Sequence, residues 1–194
     1  MVIPNTYIDE TKGRVLNPFG SKLVVHANRW PAFPDELREI LCECAGEPED
    51  IFHNIHKNGT YVVIPGDCFG TEGEHHKRKA YADIVGMTIF PEALASLFGM
   101  EYACAAIVVD LDKDTNHEHG TRQVMEKLSQ EQHVPQYIER LIPQLKAYVK
   151  RIESSSEFVR QKLEGNIIPY CPDKIRNEYL RHIAQEIVAT YCVK

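Results

Sequence analysis

Three apolar stretches of this chain each run into groups able to handle a small polar ligand. "GTYVVIPG" (59–66) leads into Asp67 and Phe69, "ADIVGMT" (82–88) ends on Met87 and Thr88, and "YACAAIVVD" (102–110) ends on Asp110, with Asp112 two positions on. A carboxylic acid can pass a proton to a departing group, an aromatic face can carry a flat ring and keep water off it, and a hydroxyl can bond an anion or a sugar. Each also has a plainer reading. A D-x-D pair often closes a loop or caps a helix, Phe69 fills a core, and Met87 and Thr88 pack a strand end and satisfy a turn. His26 is by default a partly buried histidine. "EHHKRK" (74–79) fits a solvated helix face better than a metal or phosphate site. "HEH" (117–119) lacks the second ligand pair that zinc requires, so no metal is expected.

The elements that would position these groups follow from hydrophobic pattern. The stretches at 59–66, 82–88 and 102–110 are short, apolar and bounded by turn residues, which predicts three strands covered on both faces. "FPDELREILCECAGE" opens with Pro34 and acidic residues and sets Leu37, Ile40, Leu41 and Cys44 on one face, which predicts a helix. Further helices are expected from Pro91 to Phe98 and from about Thr121 to Lys150, broken or kinked near Pro135 and Pro143. Alternating strands and helices predict an α/β fold with a mixed or parallel sheet flanked by helices. Ligands in such sheets sit beyond the carboxyl ends of the strands, which is where the candidate groups collect.

The composition narrows the function classes. The 194 residues are 43% hydrophobic and 26% charged, as for a globular chain with a real core. A net charge of -6 argues against a nucleic-acid partner. No apolar run reaches the roughly 20 residues that span a bilayer, and the first residues lack the order of a secretory signal, so no membrane partner and an intracellular, cytoplasmic location are expected. The six cysteines (Cys42, Cys44, Cys68, Cys104, Cys171, Cys192) form no C-x-x-C pair and read as reduced packing residues. "RIESSSE" (151–157) marks a soft junction, giving a domain at 1–150 and a helical C-terminal extension at 151–194.

The stretch "GTYVVIPGDCFGTEGEHHKRKAYADIVGMTIFPEALASLFGMEYACAAIVVDLD" resembles the C-terminal half of the trimeric purine nucleoside phosphorylases, and most closely the methylthioadenosine phosphorylases. Their pattern there runs G-T-x-V-x-I-E-G-P-x-F, an acidic helix, G-A-D-x-x-x-M-T-x-x-P-E, an alanine-rich helix, then Y-A and a strand ending T-D-x-D. The upstream "VVHANRWPAFPDELREIL" is similar to the segment in which V-x-H precedes a Pro-ended turn and a helix. The resemblance covers about residues 19–150 and implies a partial nucleoside-phosphorylase-like α/β sheet.

It also implies roles. Phe69 matches the aromatic that stacks on the purine, Met87 the ribose contact, and Thr88 the contact to phosphate and sugar. Asp110 and Asp112 match the carboxylates that read the adenine edge and assist protonation at N7. His26 matches a histidine that reaches the 5′ substituent in a neighbouring subunit's site. The implied activity is a purine nucleoside phosphorylase-type pentosyl transfer, with inorganic phosphate as co-substrate and no other cofactor. The implied assembly is a trimer, with a hetero-complex as the alternative. Pro65, Asp67, Cys68, Val109 and Leu111 depart from the pattern, and Asp67 would put negative charge near bound phosphate. The Gly-rich phosphate turn and Arg-His pair of the family's N-terminal half have no counterpart in this sequence, so very slow or absent phosphorolysis by the isolated chain is expected. The second function class is a catalytically inactive, phosphorylase-like scaffold or subunit of a larger complex.

Overall fold

The computed structural model describes residues 1–13, 25–27, 31–46, 51–52, 54–66, 70–88, 101–109, 133–153, 167–169, 176, 178–179, 181–182 and 185. Its centre is a three-stranded sheet of β1 (Thr6–Asp9), β3 (Thr60–Val63) and β4 (Ile84–Gly86), in the order β1-β3-β4. Both pairings are parallel, with Tyr61 opposite Tyr7 on one side and Ile84 on the other. Parallel neighbours need long crossovers. The chain supplies them with α1 (Asp35–Ala45) between β1 and β3, and α2 (Glu72–Arg78) between β3 and β4. Val25–Ala27 (β2) pairs antiparallel with Ile167–Pro169 (β5) in a separate two-stranded ribbon. Residues beyond 150 therefore add a strand as well as the helical positions described between 178 and 185.

The middle strand is the best buried. Tyr61, Val62 and Val63 are at most 5% exposed, as a strand with neighbours on both edges and cover on both faces should be. Phe33 packs over it, with Tyr7 at 5.7 Å and Tyr102 at 5.9 Å between ring centroids. The edge strand β4 sits where the sequence places it, but Val85 is exposed, so it is covered on one face only.

The third predicted strand is corrected by the structure. Residues 101–109 make a single bridge, in which Val2 and Ala106 exchange both backbone hydrogen bonds at 2.8 Å. β3 is flanked by β1 and β4, and among the described residues the stretch finds its backbone partner at Val2, ahead of β1, where one pair of hydrogen bonds makes a bridge and no ladder. Sequence pattern did not identify β1, whose "TYID" carries only two apolar residues.

Helix α1 begins after Pro34 with Asp35 and Glu36 in its first turn, favourable against the helix dipole, and stops at Gly46 (φ 81°). Leu41 and Cys44 face inward as predicted, joining Ile3, Ile51, Phe52 and Tyr137 in a second core cluster. Tyr137 comes from α3 (His133–Glu153) and donates its hydroxyl hydrogen bond to the Leu41 carbonyl at 3.1 Å. Of the break or kink expected near Pro143, the break does not occur. The helix continues through Pro143, which is exposed, so the carbonyl one turn back that loses its donor can turn to water. Pro135 lies in the first turn, where a missing N–H costs little. Buried Tyr137 and Tyr148 hold the helix on either side of Pro143. Residues 121–132 and the helix expected at Pro91–Phe98 lie outside the described residues. Cys42 and Cys44 are free thiols whose pKa burial pushes up, which suits packing more than reactivity.

Candidate functional site

Parallel pairing brings the carboxyl ends of β1, β3 and β4 to one edge, with Asp9 opposite Val63 and Val63 opposite Gly86. The register continues one step past the strands, where Glu10 N donates to the Val63 carbonyl and Ile64 N to the Gly86 carbonyl, both at 2.9 Å. Two candidates from the sequence stand here. Met87 is 55% exposed at the end of β4, and Thr88 beside it is exposed.

Two glycines that sequence reading passed over shape this edge. Gly66 has φ 83°, and a Cβ there would lie 1.7 Å from the Met87 sulfur. Met87 thus lies across the Gly66 backbone, in space that any side chain would fill. A Cβ on Gly86 would lie 2.0 Å from the Tyr61 hydroxyl oxygen, so the last residue of β4 must lack a side chain for Tyr61 to remain beneath it. The available signal was a glycine at each end of the predicted turns, where close backbone approach is the usual cause.

The β1 end is held differently. Asp9 Oδ1 accepts from Thr11 N at 2.8 Å and from the Thr11 hydroxyl, closing a local turn. Glu10 accepts from the Tyr81 hydroxyl, from Lys77 Nζ at 3.1 Å and from Arg78 Nε at 3.2 Å. These hydrogen bonds, Tyr81's above all and then those of Lys77 and Arg78, hold its carboxyl at about 2, well below the usual range, against the opposing effect of burial. Arg78 lies within "EHHKRK", otherwise the mostly solvated helix face the sequence predicts, but is itself only 9% exposed. Helix α2 begins with a capping box in which Thr71 accepts from Glu74 N and Glu74 accepts from Thr71 N.

The other predicted site residues are not all brought to this edge. His26 lies on β2, with its backbone opposite Ile168 of the separate ribbon. Phe69, Asp110 and Asp112 lie outside the described residues, as do Asp67, Cys68 and "HEH". Among the described residues, no group of three or more His, Cys, Asp or Glu could hold a metal ion, and no helix is long and apolar enough to cross a membrane. A separate groove of about 370 Å³ lies between α1 and α3, lined by Glu36, Glu39, Glu43 and Tyr148 among others. Glu101 hydrogen-bonds Tyr148, and burial raises its carboxyl pKa, with the charge of Glu36 adding to the shift.

The chain is similar to several known proteins. The S-methyl-5'-thioadenosine phosphorylase of Pyrococcus horikoshii is 33% identical over 147 residues, which is 75% of this chain and 56% of that protein. The S-methyl-5'-thioadenosine phosphorylase of Saccharolobus solfataricus is 40% identical over 114 residues, 57% of this chain and 41% of that one. A crystal structure of a double mutant of adenosine/methylthioadenosine phosphorylase from Schistosoma mansoni, in complex with adenine, superposes with a TM-score of 0.65 at 28% identity, covering 83% of this chain and 66% of that chain. The chain spans about half the length of the curated relatives it matches. The family model described as the phosphorylase superfamily matches residues 1–148, starting at residue 1 rather than near residue 19, in keeping with β1 lying beside β3. From its parallel sheet and from a match over most of its length, the chain belongs to the phosphorylase superfamily.

Proposed function

We propose that this chain binds a purine nucleoside of the methylthioadenosine kind and serves a phosphorylase-type pentosyl transfer. The observation that carries the reading is the exposed Met87–Thr88 pair at the carboxyl end of a parallel strand, with Gly66 cleared to admit Met87. The relatives named as S-methyl-5'-thioadenosine phosphorylases support the choice of nucleoside.

In the proposed reaction a phosphate oxygen bonds C1′ of the sugar as the C1′–N9 bond breaks. The electron pair leaves with the base, and a proton delivered to N7 from the Asp110–Asp112 pair keeps that base a good leaving group. Phosphate beside the sugar balances the positive charge that develops at C1′. Phe69 carries the purine and keeps water away. Met87 packs on the ribose, Thr88 bonds sugar and phosphate, and His26 reaches the 5′ substituent in a neighbouring copy. Inorganic phosphate is the co-substrate. The assembly in this reading is a homo-oligomer, a trimer by resemblance, or a stable complex with another chain, in the cytoplasm.

A second reading is a non-catalytic scaffold or subunit of a larger complex, favoured by the departures of Pro65 and Asp67 from the family's pattern. Calorimetric titration with methylthioadenosine, with and without phosphate, separates the two. Binding strengthened by phosphate supports the transferase, and binding to neither supports the scaffold. Asp110→Asn should weaken nucleoside affinity about ten- to a hundredfold, as loss of a hydrogen bond to a charged group does. Unchanged affinity would reject the role given to Asp110.

A further inference from the structure

Helix α3 has two apolar sides. One carries Tyr137 and Tyr148 and lies on α1 and the core beneath it. The other carries Ile138, Ile142 and Val149, which are 45%, 46% and 47% exposed, with half-buried Leu145 completing the series. Their spacing of four, three and four residues keeps all four within a narrow arc, the seam pattern by which one helix pairs with another. On a helix turning about 100° per residue this stripe lies roughly a quarter turn from the side that meets α1. Large aliphatic side chains so aligned and so exposed mark a surface meant for a partner.

The charges beside the stripe say which partner. Glu139 and Lys146, both exposed, flank it on the side away from α1. We propose that α3 pairs antiparallel with α3 of a second copy of this chain about a two-fold axis between Ile142 and Leu145. Ile142 then meets the partner's Leu145, Ile138 meets the partner's Val149, and each Glu139 comes within a turn of the partner's Lys146. The two contacts repeat by symmetry, so the surface complements itself, as a two-fold interface requires. A parallel pairing would instead turn this charged flank toward the partner's α1-covered flank, where α1 leaves no room. The assignment is independent of the pentosyl-transfer reading.

The stripe runs about 16 Å along the helix at 1.5 Å per residue, a small seam, so the dissociation constant should be on the order of ten micromolar. Sedimentation velocity over a concentration series tests the pairing. The full chain should double in mass across the series, from monomer to dimer or from trimer to hexamer, and Ile142→Lys should abolish the doubling with unchanged helical circular dichroism. Glu139→Lys, which sets like charges together twice, should weaken association about tenfold, and Glu139→Lys combined with Lys146→Glu should restore it. A chain that shows no doubling well above that concentration would overturn the proposal, because the stripe is then covered within the smaller unit or left bare. A dimer or trimer indifferent to Ile142→Lys or to the charge exchange would overturn it equally.

Discussion

The β1 and β4 ends of the sheet reach the same edge by the same parallel geometry, yet they are finished in opposite ways. At the β1 end polar groups satisfy one another: Glu10 takes hydrogen bonds from Tyr81, Lys77 and Arg78, and Asp9 takes two from Thr11. At the β4 end Met87 and Thr88 are exposed, and glycines at 66 and 86 remove bulk around them. A partly buried ionic cluster resists rearrangement because breaking it leaves charges unpaired. Exposed groups beside cleared backbone are accessible to a ligand. The fixed end thus supports the sheet, and the open end is where the nucleoside is proposed to bind.

The largest expected effect tests whether the glycine at the end of β4 is structural. Gly86→Val should destabilise the chain by about 3 kcal/mol, because the new side chain collides with buried Tyr61. Urea unfolding at neutral pH measures it, and a loss under about 0.5 kcal/mol, the range of ordinary surface changes, would mean that Tyr61 moves freely.

Glu10→Gln should cost about 2 kcal/mol by weakening the ionic cluster. The same cluster gives the β1 end a pH signature. Glu10 sits at about 2 when folded against an ordinary 4.5, so its stabilisation is complete above pH 4.5 and fades as the pH falls toward 2. The parent's advantage over Glu10→Gln, read from melting curves, should shrink across that window. A constant difference would place the stabilisation elsewhere.

Gly66→Ala sharpens the contrast at the open end. It should cost about 1 kcal/mol for the positive φ, and it should also displace Met87 and weaken methylthioadenosine binding severalfold. Full affinity would separate Met87 from the site. Met87→Ala is the smallest change in stability, within about 0.5 kcal/mol, because the side chain is mostly in water. Its effect should appear in nucleoside affinity alone, measured by calorimetry. Glu10→Gln, in contrast, should leave affinity unchanged.

Some of this was legible from local pattern. The helix in "PDELREILCECA" could be read because its inward positions recur at helical spacing between a proline start and a glycine stop. The strand in "TYVVI" could be read because it is continuously apolar, as a central parallel strand must be. The Met87–Thr88 pair was found because it follows such a strand. Arg78 was hidden in a run of charges, since nothing local shows that Glu10, 68 residues earlier, folds back beside it.

The sequence by itself determined the apolar stretches, the amphipathic helices and the family motifs, because these depend on neighbouring residues or on spacing along one element. Only the tertiary structure decided which stretches became strands. "YACAAIVV" is as apolar as many strands, but among the described residues its backbone pairs only at Ala106 with Val2, and a strand forms only where successive backbone groups find partners. "TYID" looks too polar to be a strand and became one because its backbone pairs with β3 from Thr6 to Asp9. Pro143 predicts a break or a kink, and two buried tyrosines on either side of it hold α3 unbroken. In each case long-range pairing or burial outweighed a local preference of about 1 to 3 kcal/mol.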